Sequence, residues 1–225
     1  MKLVVSEELL QKYPNVRIGV IVAAGIDNNG ENQEISMLLK EIRGSIKSGL
    51  LQHPSISSWR KIYSSFGSKP SDYRSSAEAL IRSVLKGRDI PHINKTVDLY
   101  NFISLKYVIP AGGEDLDKIE GNIYLRFAEG DETFVPLNSE SRENPYKGEV
   151  IYCDDAGNVL CRRWNWRESD KTKLTENTEN TVIVLEGFDN MVETATEELD
   201  LLVRKFCGAT TQRFLINKDN PEAEW

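Results

Sequence analysis

Arg17-Ile18-Gly19-Val20-Ile21-Val22-Ala23-Ala24 is an unbroken apolar run closed by the turn residues Asp27-Asn28-Asn29-Gly30, and it reads as a buried strand. Before it, a short helical pattern follows Ser6 (Glu7, Glu8, Leu9, Leu10) and breaks at Pro14. After it, Ile35, Leu38, Leu39, Ile42 and Ile46 recur at helical spacing up to Gly49. Trp59, Ile62, Tyr63 and Phe66 form a second apolar stripe that stops at Gly67. Ser75-Ser76-Ala77-Glu78 then has the form of a capping box ahead of Leu80, Ile81 and Leu85, with Gly87 as the stop. A further helix starts near Asn94 and carries Val97, Leu99, Phe102, Ile103, Leu105 and Tyr107 before Pro110-Ala111-Gly112-Gly113. So many apolar positions predict that it is largely buried.

Beyond Pro110 the texture changes to strands, at residues 122–127, 148–152, 159–164 and 181–185. Asp154-Asp155-Ala156-Gly157-Asn158 is a turn that makes the second and third a hairpin, across which Cys153 and Cys161 are placed to face each other. Residues 138–147 are polar and read as a surface loop. Residues 190–206 give a last helix and residues 210–216 a final strand. Helix-rich then strand-rich order within one core predicts an α+β fold, with helices packed on a mainly antiparallel sheet. No repeat, linker or low-complexity stretch divides the 225 residues, so a single domain over 1–225 is expected.

Composition removes several classes. No apolar run approaches the roughly 18 residues of a membrane-spanning helix, and the N-terminal Met1 to Glu8 turns acidic before a signal-peptide core develops, so a cytoplasmic protein with no membrane partner is expected. The net charge of −7 argues against coating nucleic acid through overall charge. Cys153, Cys161, Cys207, His53 and His92 show no metal-binding spacing, so neither a metal nor another cofactor is expected and the thiols should be free. No GxSxG, P-loop, GxGxxG or Cys/His pair is present.

Two regions are chemically unusual. Asn94, Asp98 and Asn101, at offsets of four and three, share one face of a buried-looking helix. They are either capping and structural hydrogen bonds or the polar wall of a pocket. Cys161-Arg162-Arg163-Trp164-Asn165-Trp166-Arg167 interleaves three arginines with two tryptophans, the combination of phosphate contacts and stacking faces found in single-stranded RNA sites. On a strand, Arg162, Trp164 and Trp166 would face one side and Arg163, Asn165 and Arg167 the other. The alternative is an amphipathic hairpin with its tryptophans in the core and its arginines solvated. Glu168 and Asp170, beside Lys171 and Lys173, read as a solvated charge run.

The order of residues brings a family into view. Ile93-Asn94-x-x-Val97-Asp98-x-x-Asn101, Pro110, Asp115, Ile119-Glu120-Gly121-x-Ile123-x-Leu125-Arg126-x-Ala128 and Gly130-x-Glu132 resemble the B3/4 tRNA-editing module of the phenylalanyl-tRNA synthetase β-subunit. Tyr152-x-Asp154-x-x-Gly157 and Thr181-Val182-x-Val184-Leu185-Glu186 continue the likeness, which spans roughly residues 55–190. No synthetase core accompanies it, so the chain looks like a freestanding member.

The resemblance implies a deacylase acting in trans on the ester of a mischarged tRNA, with the aminoacylated tRNA 3′ end as partner and a transient association with a synthetase. It implies catalytic roles for Asn101 and Glu186. Beside these, the polar helix face and its neighbours are expected to form a substrate pocket at Asn94, Asp98, Tyr100, Gly112, Gly113 and Asn165, and the Arg/Trp segment to contact tRNA through Arg162, Arg163, Trp164 and Arg167. The chain departs from the bacterial pattern in having Tyr100 where that has Thr, and Gly112 where that has His. Its segment from Arg163 to Arg167 stands where the synthetase module has a glycine-rich pair. The implied substrate therefore need not be tyrosine. Freestanding proteins of this kind clear tRNAs carrying other amino acids, arginine analogues among them, and an acidic pocket fed by Asp98, Asp154, Asp155 or Glu186 would suit such a cation. A non-catalytic RNA-binding module and an amino-acid sensor that retains the pocket are the alternatives.

Overall fold

The computed structural model describes residues 1–225. In chain order the elements are β1 (Lys2–Val5), α1 (Glu7–Lys12), β2 (Arg17–Ala24), α2 (Gln33–Ser45), α3 (Pro54–Ser65), α4 (Ser76–Leu85), α5 (Lys95–Tyr107), β3 (Ala111–Asp115) and β4 (Ile123–Phe127). They continue as β5 (Val150–Asp154), β6 (Val159–Arg162), β7 (Arg167–Glu168), β8 (Asn180–Gly187), α6 (Met191–Cys207), β9 (Thr210–Ile216) and β10 (Glu222–Glu224). The expected α+β fold is present, and its strands divide into two sheets. One has six strands in the order β10-β1-β4-β5-β6-β7, the other four in the order β3-β8-β2-β9. Every pairing is antiparallel except β1 with β4. No helix is long and apolar enough to cross a membrane.

β2 is central to the smaller sheet and is buried on both faces, which is why it reads as a continuous apolar run. Ile18, Val20 and Val22 point into a core shared with Leu3, Val5, Ile123, Leu125 and Leu160 of the larger sheet. Ile21 and Ala23 point the other way, among Leu99 and Ile103 of α5 and Val192, Leu199 and Val203 of α6. Helices α2, α5 and α6, the four-stranded sheet and the six-stranded sheet therefore form successive layers, while α1 and α3 pack into the core that the two sheets share. Gly19 lies on the helix side, where a Cβ would fall 1.9 Å from Thr196 Oγ1. The absence of a side chain at this one position lets α6 lie directly on the sheet.

Several local expectations are corrected. The Gly112-Gly113 pair, which follows α5 and lies outside the expected strands, runs through β3, paired with Val184 and Ile183 of β8. The β5–β6 hairpin contains a register shift, so Cys161 faces Tyr152 and Cys153 faces Val159. All three cysteines are free and buried, and burial pushes the Cys153 thiol up to about 11. β6 ends at Arg162 because Arg163 (φ 47°) and Trp164 (φ 67°) are left-handed, which breaks the strand alternation expected through Arg167. The 138–147 segment does lie mostly exposed, with only Pro145 buried.

Gly19→Ala is expected to destabilise the protein by about 1–3 kcal/mol through overpacking, with Thr196→Ala recovering part of the loss. Thermal or urea unfolding of the two single variants and the double variant measures this. An unchanged Gly19→Ala midpoint would show that α6 does not rest on the sheet there.

Candidate functional site

Between the two sheets lies a cavity of about 940 Å³, at the upper end of the range of small-molecule sites. α5 presents Val97, Tyr100 and Asn101 to it, one helical face at offsets of three and four. β3 supplies Gly112, Gly113 and Glu114, β8 supplies Val182, Val184 and Glu186, and β5 and β6 supply Tyr152, Leu160 and Cys161. The turn after β6 closes it with Trp164, Asn165, Trp166 and Arg167, followed by Glu168. Of the residues singled out in the sequence, Asn101, Glu186, Tyr100, Gly112, Gly113, Asn165, Trp164 and Arg167 are brought together on this one hollow.

Asn94 and Asp98 lie outside it and are structural. Asn94 caps α5, accepting from the Val97 N–H at 3.0 Å while its amide donates to the Leu174 carbonyl at 3.2 Å. Asp98 lies 2.6 Å from His92 Nδ1 and accepts from the Ile93 N–H at 3.1 Å. Asp154 holds the β5–β6 turn through the Ala156 and Asn158 N–H groups, and Asp155 accepts from the Asn122 N–H. Neither contributes to the acidity of the cavity.

The tRNA contacts expected at Arg162 and Arg163 are also corrected. Both arginines are buried, at 4% and 3% exposure. Glu149 receives Arg162 Nε at 2.8 Å and Nη2 at 2.9 Å, and lies 3.5 Å from Arg163. Glu143 takes the remaining Arg162 nitrogen at 2.8 Å. The Arg163 guanidinium stacks 3.7 Å from the Tyr73 ring centroid and 4.6 Å from that of Trp166. Trp164 is wholly buried. The amphipathic-hairpin alternative holds only for Trp164, because ion pairs to the inward carboxylate Glu149 draw Arg162 and Arg163 out of solvent and Trp166 is only half-buried.

Glu186 ends β8 as a buried carboxylate, not a solvated one. Its Oε1 accepts from Tyr152 Oη at 2.5 Å and Trp164 Nε1 at 2.8 Å, and its Oε2 accepts from Asn165 Nδ2 at 2.7 Å. Asn165 is fixed at its other end, where Oδ1 accepts from Tyr63 Oη at 3.0 Å. Burial raises the Glu186 carboxyl to about 6 despite these three donors.

Sequence reasoning missed the two most perturbed carboxylates. Glu168, which reads in the sequence as part of a solvated charge run, turns inward beside Gly112, where a Cβ would fall 2.6 Å from Glu168 Oε1. Burial raises it to about 7, against one stabilising contact from the Gly113 N–H. Glu114 is pushed well above the carboxylate range, first by burial and then by the charge of Glu168. One of its oxygens, Oε2, is buried without a hydrogen-bond partner. The only available signal was the alternation along β3, which places Glu114 on the same face as Gly112. No group of three His, Cys, Asp or Glu side chains is placed to hold a metal ion.

Glu168 binds its proton more tightly in the folded state than a free glutamate at 4.5 does. Its contribution to stability is therefore fully present below about pH 4.5 and is lost as pH rises through about 7. Relative to the wild type, Glu168→Gln should gain melting temperature between pH 5 and pH 8. Parallel melting curves across that range would show that Glu168 titrates as a solvated carboxylate.

Residues 58–203 match the B3/4 domain family. A 75-residue stretch is 35% identical to the phenylalanine–tRNA ligase β subunit of Fusobacterium nucleatum, covering 33% of this chain and 9% of that protein. The same subunit of Leifsonia xyli is 33% identical over 75 residues, covering 33% of this chain and 9% of that one. This chain therefore spans only a small part of the curated relatives it matches. Among solved structures, an N-terminal fragment of the phenylalanyl-tRNA synthetase β-subunit from Pyrococcus horikoshii aligns over 95% of this chain and 53% of that one, at 17% identity and a TM-score of 0.49. The family match extends over well more than half of the 225 residues and contains almost all of the cavity wall, so the chain belongs to the B3/4 domain family.

Proposed function

We propose that this protein is an aminoacyl-tRNA deacylase acting in trans, hydrolysing the ester that joins a wrong amino acid to the terminal ribose of a tRNA. The observation that carries the reading is the cavity itself. It gathers Asn101 and Glu186 with an inward carboxylate pair, Glu114 and Glu168, in a volume that accepts an aminoacyl ester. Its relatives supply the biological setting, since their β subunits belong to an enzyme whose name joins phenylalanine to tRNA.

Each group has a chemical task within this reading. Asn101 and the backbone N–H groups of β3 hold the ester carbonyl and the attacking water. Water adds its hydroxyl to the acyl carbon, the C–O bond to the ribose breaks, and the ribose oxygen leaves with a proton. The neighbouring ribose hydroxyl assists that transfer. Glu186 is engaged by three donors, but Oε2 accepts only one of them, from Asn165. Its remaining acceptor position takes the substrate's α-ammonium group. Glu114 and Glu168 repel one another when both are ionised, and a cationic substrate side chain placed between them relieves that repulsion. Substrates bearing arginine or an arginine analogue are therefore favoured over tyrosine, whose neutral phenol would leave the pair unpartnered.

The test is a panel of aminoacyl-tRNAs carrying tyrosine, phenylalanine, arginine and an arginine analogue, followed for ester loss against a no-protein control. Selective loss of a cationic species is expected. Asn101→Ala should slow it about 100-fold, the scale of removing one donor to a developing oxyanion, and Glu168→Gln should raise KM for the cationic species. Full activity of a folded Asn101→Ala variant overturns the assignment of that residue. No loss across the panel overturns the deacylase reading in favour of a binding module.

A further inference from the structure

Next to the large cavity is a second hollow of about 280 Å³. Arg74, Arg82, Lys86 and Arg88 line it, with Asp72 as its only carboxylate, in a protein whose net charge is −7. It adjoins the first, because Trp166 and the α4 residues Ala79 and Ser83 line both.

The helix dipole does not explain this cluster. Cations in the last turn complement a helix C-terminus, which covers Arg82 and Lys86. Arg74 instead arrives from the loop before α4, and Arg88 lies beyond its cap. The arginines are also built in. The buried carboxylate of Glu78 accepts from Arg82 Nε at 2.7 Å and lies 3.8 Å from Arg74 Nε. Arg60 completes its set with hydrogen bonds of 2.7 and 2.9 Å. The capping box expected here is thus only half made, since Ser75 caps the Glu78 N–H while the Glu78 carboxylate is turned to these arginines. Arg43 donates to the carbonyls of Gly87 and Arg88, which fixes the turn. Lys86 and Arg88 form no ion pair with any carboxylate of the chain, so their charge is available to an outside partner.

Trp166 stands where the two hollows meet. It is half-buried, met edge-on by Tyr73 at a centroid distance of 4.9 Å and covered by the Arg163 guanidinium. A rigid, partly exposed indole beside unpaired cations is the combination that holds single-stranded RNA, with phosphate on the cations and a base on the ring.

We infer that this basic hollow is the docking site for the single-stranded 3′-terminal nucleotides of the RNA whose aminoacyl end enters the large cavity. Lys86 and Arg88 contact the phosphodiester backbone, and Trp166 stacks on a base next to the terminal one. This rests on the deacylase reading for the direction of the strand. It also moves the RNA surface from Arg162 and Arg163 to the C-terminal end of α4.

The experiment is fluorescence anisotropy with a labelled single-stranded RNA of the tRNA 3′-terminal sequence, titrated at several salt concentrations. The wild type should bind with an affinity that falls as salt rises. Lys86→Glu/Arg88→Glu should weaken binding at least tenfold at low salt and reduce the log–log salt slope by about 1.4, for two lost contacts to a single strand. Trp166→Ala should weaken it about tenfold, with Trp166→Tyr restoring most of the loss, and melting curves establish that each variant is folded. Unchanged affinity in the double variant, no binding by the wild type, or displacement of the RNA by inorganic phosphate at constant ionic strength overturns the inference. The two readings fail separately. RNA binding that depends on Lys86 and Arg88 without ester hydrolysis sinks the deacylase alone, whereas hydrolysis of aminoacyl-tRNA with unchanged KM in the double variant sinks the docking site alone.

Discussion

The Glu186 carboxylate is the tie on which the cavity depends. It belongs to the four-stranded sheet, while its partner Tyr152 belongs to the six-stranded one and Trp164 and Asn165 to the turn that follows β6. A single side chain thus joins the four-stranded sheet to the six-stranded sheet and its β6 turn, although the two sheets share no ladder hydrogen bonds. Hydrogen bonds to a charged group contribute about 1.5–3 kcal/mol each, and these three offset only part of the desolvation, which still holds the carboxyl at about 6. The geometry around Asn101 follows, because α5 packs on the face of a sheet whose distance from its neighbour is set at this point.

A second buried carboxylate, Glu149, does comparable work at the far side of the turn. It neutralises Arg162 and receives the Arg163 N–H at 3.2 Å, which anchors the two residues that bracket the start of the left-handed bend. A buried ion pair is rarely a net source of stability, since desolvation opposes it. Its effect here is on shape. With the chain fixed at Arg162 and bent at Arg163 and Trp164, residues 165–168 swing back over the cavity, and Glu168 arrives opposite Glu114.

This bend is also what the amino-acid order could not reveal. The helices, most of the strands and the two-faced burial of β2 were legible, because each follows from spacing at period 3.6 or 2. Asn101, Glu186 and the glycine pair were legible through their order along the chain. Glu168 was not, because Asp170, Lys171 and Lys173 around it are solvated and it differs from them only by the path of the backbone. Positive φ at an arginine and a tryptophan has no compositional signal, unlike the same conformation at glycine. The burial of Arg162 was equally hidden, since its partner Glu149 lies across the hairpin, where the register shift decides which side chains meet.

The pairing of β2 carries a consequence for the birth of the chain. This apolar strand, complete at Ala24, finds its ladder partners only in β8, from Asn180, and β9, from Thr210. At a synthesis rate of roughly 5–20 residues per second, it emerges roughly 10–30 s before the nearer partner exists. Throughout that interval Ile18 to Ala23 is a nascent hydrophobic segment with both edges open. The same continuity that makes this strand the centre of the finished sheet makes it the part of the newborn polypeptide most dependent on shelter, by the ribosome's surroundings or by a chaperone.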